Sequence, residues 1–409
     1  MALAFVAPFS IALTNVALGL LLVGVGLGMA LPAARRARPA ASLPLAIVLP
    51  ALALFAWIAA RGAAGDASWP EWREALGHHR ELVLLPVVAL AFAAVPARTA
   101  FAALMAGACV LAAWHLSGLV VPAIAEALLP KRITAGFILV LCAYLAARDA
   151  LARPEERLDA WPRGASAALA LLFALTAAVA ITGRTGHLLL ATLALVLAWQ
   201  ATRGWLRIAA PALALLAVAA VGALSPAIRD RAAETVRDIR VFGAGDDIRT
   251  SSSGLRLEFW RLSAAAFAEH PAIGWGYGGF ARKYAERADA VYQNDATRQA
   301  FVGDASLTRL AHPHNEWLYH AAAGGAIGVA LLAAVLAGPL VALARAGARP
   351  RAGPAVARLR TAAGVSAGVA VACLVTSPWF DFPEGHFVMV VTAILCSPVI
   401  ASSTTRHPR

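Results

Sequence analysis

A polar segment gives way to a hydrophobic one at residues 311–328, AHPHNEWLYHAAAGGAIG. Pro313 suits the first turn of a helix, because its missing N–H is one that the helix would leave unpaired. His314 is then expected in the same turn, where a helix enters a membrane and its partial positive charge favours a neutral imidazole. Three glycines further along share one helical face that another backbone can approach closely: Gly324, Gly325 and Gly328.

The composition around this segment is that of a membrane protein. Of the 409 residues, 60% are hydrophobic and 14% are charged, whereas soluble domains have about 45–50% apolar and about 25% charged residues. Hydrophobic runs long enough to cross a bilayer recur along almost the whole chain. The sequence therefore predicts an all-α polytopic membrane protein.

The predicted spans leave one large loop between two sets of transmembrane helices. Residues 1–32 fit one span or a short two-helix hairpin, which gives about 12 transmembrane helices in total. The other spans fit residues 43–60, 82–97, 99–121, 133–149, 165–182, 187–201, 207–224, 315–343, 357–376 and 385–402. We divide the chain into residues 1–225, an N-terminal transmembrane bundle, 226–313, a loop domain, and 314–409, the C-terminal transmembrane helices.

The net charge of +12 comes almost entirely from arginine. One interpretation is compositional bias together with basic cytoplasmic loops, and the other is that some arginines bind an anionic lipid or phosphate. Nucleic acid is a poor candidate partner, because the positive charge is divided among loops between spans. All four cysteines lie in hydrophobic runs, which predicts buried thiols and no disulfide.

Basic loops also give the orientation of the chain. Arg35, Arg36 and Arg38 follow the first apolar segment, and the loop after residue 343 carries five arginines and no acid. Such loops are typically cytoplasmic. Counting spans from either end puts the large loop on the opposite, outer face of the membrane.

The large loop is too long for a simple connection and is expected to have structure of its own. Residues 227–241 alternate in charge along an amphipathic helix, 246–253 suggest a turn in which Ser252 or Ser253 caps a helix, and 254–269 have helical apolar spacing. Residues 274–279, GWGYGG, predict a sharp backbone turn. A phosphate cradle is less favoured there, because the strand and lysine of a P-loop are missing.

Three residues on the outer face could carry chemistry. Arg184 lies in a short turn between two spans, 182–187, TGRTGH, and Arg256 lies on the loop helix one turn from Trp260. A snorkelling side chain is the alternative interpretation of Arg184. Two arginines can neutralise a pyrophosphate through bidentate hydrogen bonds, and the neutral His314 can take a proton from a hydroxyl. This set predicts a transfer in which a pyrophosphate leaves and an alcohol attacks.

Four further residues are weaker candidates for substrate binding: Arg261, Asn315, Trp260 and His312. Asn315 is equally consistent with a helix cap, and His312 with packing at the membrane interface. A metal site is not expected, because His314 and His320 lack the i, i+4 spacing of a helical zinc pair and no Cys or Asp ligands are nearby.

Three motifs resemble the O-antigen ligase family, which shares a superfamily with O-antigen polymerases and protein O-oligosaccharyltransferases. The first is His314-Asn315 followed by Gly325 and Gly328. The second begins with RLEFW at residues 256–260 and continues as EHPAIGWGYGGF at 269–280, and the third is TGRTG at 182–186. The last departs from the family pattern, in which Ser-Arg-Gly is common.

The resemblance implies a GT-C-like glycosyltransferase of the bacterial inner membrane with a large periplasmic loop. It would transfer O-antigen glycan from undecaprenyl pyrophosphate to lipid A–core oligosaccharide, among membrane lipids and without metal, nucleotide or other cofactor. In such enzymes the histidine that matches His314 is the base candidate, and the arginines that match Arg184 and Arg256 face the pyrophosphate.

Two alternatives stay open from the sequence. An O-antigen polymerase or a protein O-oligosaccharyltransferase would use the same chemistry with another acceptor. A flippase or transporter for lipid-linked glycans belongs to a different class and would be expected to place charge within the spans. The spans here are nearly bare of charge, which favours chemistry at the outer surface.

Overall fold

A computed structural model describes most of the chain, as residues 1–30, 44–64, 67–121, 123, 132–157, 161–181, 184–224, 226–244, 249, 251–308, 310–347 and 353–397. Several predictions fall outside these residues: the Arg35 cluster, Arg349 and Arg351, half of the 246–253 turn, and the side chain of Arg184.

The described residues form helices and no strands, so the predicted all-α class is confirmed. In chain order the helices are α1 (Ala2–Val6), α2 (Ile11–Ala30), α3 (Leu45–Ala63), α4 (Trp69–His78), α5 (Arg80–Ala93), α6 (Ala97–Val120), α7 (Arg132–Leu151), α8 (Arg163–Val179), α9 (Arg184–Ala201), α10 (Leu206–Leu224), α11 (Pro226–Ala244), α12 (Ser252–Glu269), α13 (Phe280–Asn294), α14 (Ala305–Thr308), α15 (Glu316–Gly347), α16 (Pro354–Ala372) and α17 (Phe382–Cys396).

The apolar helices make this a multi-pass membrane protein. Among the described residues, five are long and apolar enough to cross a bilayer: α3, α6, α7, α15 and α16. The pair α4 and α5, bent by 43°, would make a sixth span, and shorter apolar helices occupy the other segments expected to span. With five residues α1 is too short to cross, so the N-terminal segment does not contain two spanning helices.

Helix α7 forms the centre of the bundle. In its most apolar stretch of 18 residues, 83% of the residues are buried. Helices α8, α9, α6 and α17 pack around it. Its sequence is apolar on every face, as expected for a helix surrounded by other helices. Arg148 and Asp149, in its last turn, are also buried, and Asp149 is paired with Arg157 at 2.8 Å.

Helix α15 is broken where the sequence predicts a continuous packing face. Gly325 has φ 66° and ψ −164°, which interrupts the helical hydrogen-bond ladder. Loop residues replace the missing partners: the N–H groups of Trp275 and Gly276 donate to the carbonyls of Ala322 and Ala323, both at 2.8 Å. The glycines of α15 therefore admit the glycine-rich turn of the loop rather than the side of another helix. A non-helical backbone is tolerated at such depth because protein surrounds it.

The loop domain has its own helical core. Helix α12 packs against α11 and α15, and Phe259, Leu262, Tyr284 and Tyr292 are buried between its helices. The cap of α12 is Ser251, whose hydroxyl accepts the N–H of Gly254 at 2.9 Å. The predicted cap, Ser252 or Ser253, was wrong by one or two residues, because three serines follow one another at this point of the chain.

Candidate functional site

The loop before α15 places His314 outside the helix. The helix begins at Glu316, and Asn315 caps it by accepting the N–H of Leu318 on its side-chain oxygen at 3.0 Å. The Asn315 amide also donates to the carbonyl of Leu374 at 2.9 Å. The prediction that Pro313 and His314 form the first helical turn is therefore wrong, because both residues precede the helix. The cap role considered for Asn315 is the one the structure shows.

The backbone of His314 is strained. Its φ is 50°, in the left-handed region that a side chain with a Cβ rarely adopts. The His314 N–H donates to Nδ1 of His312 at 3.3 Å, and the two rings meet edge to face with centroids 4.4 Å apart. Strain of this kind costs about 1–3 kcal/mol and is characteristic of functional sites.

His312 connects this loop to the start of α17. Its Nδ1 accepts the His314 N–H, so its proton belongs on Nε2, which lies 4.0 Å from Oδ1 of Asp381. The ring also packs on Phe380, with centroids 4.5 Å apart. His312 is thereby buried and oriented, and it holds the backbone that presents His314.

Helix α12 presents one face to the same loop. The indole N–H of Trp260 donates to the carbonyl of Pro313 at 3.0 Å, and the ring of Phe259 lies 6.5 Å from that of His314. Arg256 lies on this face as well, because residues three and four apart on a helix are neighbours. The sequence predicted that Arg256 and Trp260 would lie one turn apart.

A cavity of about 300 Å³ joins this face to the transmembrane bundle. Its lining includes Arg256 and Trp260 from α12, Leu188 from α9 and Val375 after α16. Arg256 is the one charged group among the described lining residues, and the rest are mainly apolar. Such a space can accept an apolar chain that carries an anionic end.

Arg184 begins α9, one turn before Leu188, which lines the cavity. The first turn of α9 therefore lies beside the cavity, although the Arg184 side chain is outside the described residues. The N-terminus of a helix favours an anion through its unpaired N–H groups and its dipole.

Arg261, also on α12, does not line the cavity and forms an ion pair with an acidic side chain. Its Nη2 is 2.6 Å from Oε1 of Glu258, a fully buried carboxylate that Arg298 also contacts at 3.2 Å. Although burial lowers the pKa of Arg261, the hydrogen bond and charge of Glu258 outweigh this and raise it. Burial also raises the pKa of the nearby Tyr284 hydroxyl, so this phenol stays neutral. The structure does not bring Arg261 to the cavity, and it serves the loop domain instead.

A buried cluster that sequence reasoning missed lies below the His314 loop. His79, Glu316 and His320 are fully buried and bring their ligand atoms within 4.8 Å of one another, so they could hold a metal ion. Two imidazoles and a carboxylate suit zinc. However, Nε2 of His320 already contacts Oε1 of Glu316 at 3.2 Å. The i, i+4 spacing of Glu316 and His320 was visible in the sequence, whereas His79 comes from the distant α4–α5 bend.

Protein contacts surround this cluster. Tyr277 of the glycine-rich turn is hydrogen-bonded to Nδ1 of His320 at 2.7 Å, and the Trp379 N–H donates to Oε2 of Glu316 at 3.3 Å. Burial raises the pKa of Tyr277 well above its usual value, so its hydroxyl stays neutral. Because the three candidate ligands have no exposed surface, a substrate in the Arg256 cavity has no access to them.

The family model described as O-antigen ligase matches residues 169–333. Residues 169–333, about two fifths of the chain, are therefore similar to the O-antigen ligase family. The matched region runs from within α8 to within α15 and contains the three residues predicted to be catalytic and the four predicted to bind substrate. The resemblance seen in the three motifs is thus confirmed. No curated protein matches the chain.

The family match covers the cavity wall formed by α9 and α12 and also the His314 loop, but it ends before Val375 and Asp381. These two residues complete the site from the C-terminal helices.

Proposed function

We propose that the protein is an O-antigen ligase of the bacterial inner membrane, with 11 transmembrane helices rather than 12 in a GT-C-like arrangement and the loop domain in the periplasm. The basic loops support this orientation. The observation that carries the proposal is the cavity lined by Arg256 and Trp260 of α12 and Leu188 of α9, together with the hydrogen bond by which Trp260 holds Pro313 beside His314.

The donor in this proposal is O-antigen on undecaprenyl pyrophosphate. Its polyprenyl chain enters from the bilayer along the apolar wall that includes Leu188 and Val375. Its pyrophosphate binds Arg256 and Arg184, and the N-terminus of α9 adds partial positive charge. These groups stabilise the charge that develops on the leaving pyrophosphate.

The acceptor is a sugar hydroxyl of the lipid A–core oligosaccharide. His314 removes the hydroxyl proton as the oxygen attacks the anomeric carbon, and the bond from that carbon to the pyrophosphate oxygen breaks. A single displacement of this kind inverts the anomeric carbon. In this proposal neither a nucleotide nor a metal ion takes part in the transfer, and the three buried side chains of the His79 cluster do not contact the substrate.

The remaining predicted residues act around these three. His312 and Asn315 hold the loop that carries His314, as their hydrogen bonds to the His314 N–H and to α15 indicate. Trp260 anchors the same loop through Pro313 and offers its ring to the donor. Arg261 supports α12 through Glu258.

The distribution of buried charge favours transfer over transport. Charged groups are buried in the bundle, so the spans are less bare than the sequence suggested. However, Arg148 and Asp149 lie in the last turn of α7, and Glu316 lies in the first turn of α15. Charges at helix ends, close to other protein groups, are less typical of a substrate path than charges in the middle of spans.

Transfer in a defined mixture tests this function. The mixture contains purified protein, undecaprenyl-pyrophosphate-linked O-antigen, lipid A–core and EDTA, without nucleotide. We expect a ladder of glycan-capped lipid A–core. Longer glycans on the polyprenyl carrier without capped product would indicate a polymerase, and no change in either lipid would favour a transporter.

Variants assign the roles in the same assay. We expect His314→Ala to lower the transfer rate by about 10²–10⁴ and Arg256→Ala by about 10²–10³. Arg345→Ala is the control, because Arg345 is exposed near the far end of α15. Full activity of a correctly folded His314→Ala protein would exclude His314 as the base.

A further inference from the structure

A second and larger cavity lies at the opposite end of the bundle. It has a volume of about 560 Å³ and is walled by α9, α10, α15 and α16. Trp199 and Gln200 of its lining are 11 and 12 residues beyond Leu188 on α9 (199 − 188 and 200 − 188), which places them roughly 17 Å further along that helix. The cavity is therefore separate from the site that contains Arg256.

Its polar lining is strongly basic. Arg203, Arg207 and Arg360 line it, and no acidic residue is among its described lining residues. Arg207 donates from Nε to the carbonyl of Thr202 at 3.3 Å, and its guanidinium lies 5.6 Å from the centre of the Trp199 ring. Both contacts orient Arg207, and neither of them supplies a negative charge.

The remaining lining is apolar and includes residues exposed at the surface of the bundle. Trp199 is 53% exposed and Leu340 is 51% exposed. Trp205, in the α9–α10 turn, is 75% exposed. Exposed tryptophans beside arginines are typical of the membrane–water interface. The cavity thus offers a cationic end at the interface and apolar surface beside it.

Hydrogen bonds fix the deep wall of the cavity. Oε1 of Gln200 accepts the hydroxyl of Tyr144, from the central helix α7, at 2.8 Å. Nε2 of Gln200 donates to the carbonyl of Arg360 at 3.0 Å. These two contacts tie α9 and α16 to the core, so the spacing between arginines on different helices is held by the bundle.

We propose that this cavity binds the headgroup of an anionic phospholipid from the cytoplasmic leaflet. The lipid phosphate sits among Arg203, Arg207 and Arg360, and the acyl chains lie against the apolar wall beside Leu340. The volume suits a small ligand, and basic pockets between transmembrane helices on this side of a membrane suit anionic lipids. The ligand class follows from three arginines without an acid beside an opening to the bilayer. This site rests on the proposed membrane orientation of the protein but not on the transfer reaction.

Native mass spectrometry of the purified full-length protein tests the proposal. The protein in detergent is mixed with equal amounts of phosphatidylglycerol and phosphatidylcholine, and bound lipids are counted. We expect retention of phosphatidylglycerol at least about tenfold above phosphatidylcholine. Arg360→Gln should lower retention about fivefold, the contribution of one arginine near a membrane surface. The double variant Arg203→Gln/Arg207→Gln should remove the preference.

Arg345→Gln is the matched control, because it removes the same charge from the same end of the bundle outside the cavity. Its lipid preference should equal that of the unaltered protein. Equal retention of both lipids, or an equal loss in the control, would overturn the proposal. Displacement of phosphatidylglycerol by millimolar inorganic phosphate would identify a general phosphate site and would also overturn it.

Discussion

His314 depends on a neighbour for its position. Its backbone is in a strained conformation, and the acceptor of its N–H is the ring of His312. His312→Ala removes this acceptor and the ring contact, so we expect kcat for glycan transfer to fall about tenfold, the usual value of one hydrogen bond, with little change in KM. The exposed His270→Ala is the control. An unchanged kcat would mean that the loop holds His314 without His312.

Glu258 has a structural role, although it lies two residues from Arg256. Its carboxylate is fully buried and contacts both Arg261 and Arg298. Glu258→Gln removes the paired carboxylate of Arg261 and leaves Arg298 with Asp295 alone, at 3.6 Å, so we expect a loss of about 3 kcal/mol in stability. This value is at the lower end of the range because Arg261 is partly exposed.

Thermal unfolding of the detergent-solubilised protein measures this loss, and proteolysis of the loop domain locates it. The control is Glu269→Gln, which removes the exposed pair with Arg287 and should cost less than about 1 kcal/mol. An equal loss of stability in both variants would show that Glu258 contributes no more than a surface ion pair.

At the scale of elements, the break in α15 and the glycine-rich turn form one structural unit. A Cβ on Gly325 would overlap the backbone of Ala272, and its φ of 66° already disfavours any other residue. We expect Gly325→Ala to destabilise the protein by roughly 3 kcal/mol or more, through backbone strain and displacement of the turn. Gly347→Ala in the same helix is the control, because nothing lies within 4 Å of a Cβ there.

Thermal unfolding and the transfer rate of both variants check this prediction. The turn lies against the part of α15 that follows the His314 loop, so activity should fall together with stability. If Gly325→Ala unfolds at the same temperature as Gly347→Ala, the turn does not hold α15 in its broken form.

The elements that the sequence predicted well are those with strong local signals. The apolar run of α7 and the helical spacing of α12 are properties of adjacent residues, and both helices lie where the sequence places them. The start of α15 and its break at Gly325 were not predicted. Hydrophobic spacing continues through both positions, whereas the backbone there is decided by Asn315 as a cap and by contacts from the distant turn.

At the scale of the whole molecule, the site could be predicted only in part. Arg256 and His314 were expected on one face because topology alone brings their segments together. Asp381 near His312, Val375 in the cavity wall and His79 in the buried cluster come from segments that are far from Arg256 and His314 in the sequence. No periodicity reports such contacts, and only the packing of the complete bundle creates them.

The buried cluster of His79, Glu316 and His320 gives the last prediction, because it joins the α4–α5 bend to α15. Its donor set suits zinc, but none of the three side chains is exposed to substrate. We therefore expect EDTA to change the transfer rate by less than about twofold, since an ion held there would not polarise a substrate oxygen. Elemental analysis of the purified protein, before and after EDTA, shows whether an ion is present. Loss of both an ion and activity, with recovery on adding zinc, would contradict metal-independent transfer.

The Glu316→Gln variant separates a structural role of the cluster from a catalytic one. It keeps the side-chain shape but replaces the carboxyl group that contacts Nε2 of His320, so it should lower the unfolding temperature, whereas the rate per folded molecule should change much less than in His314→Ala.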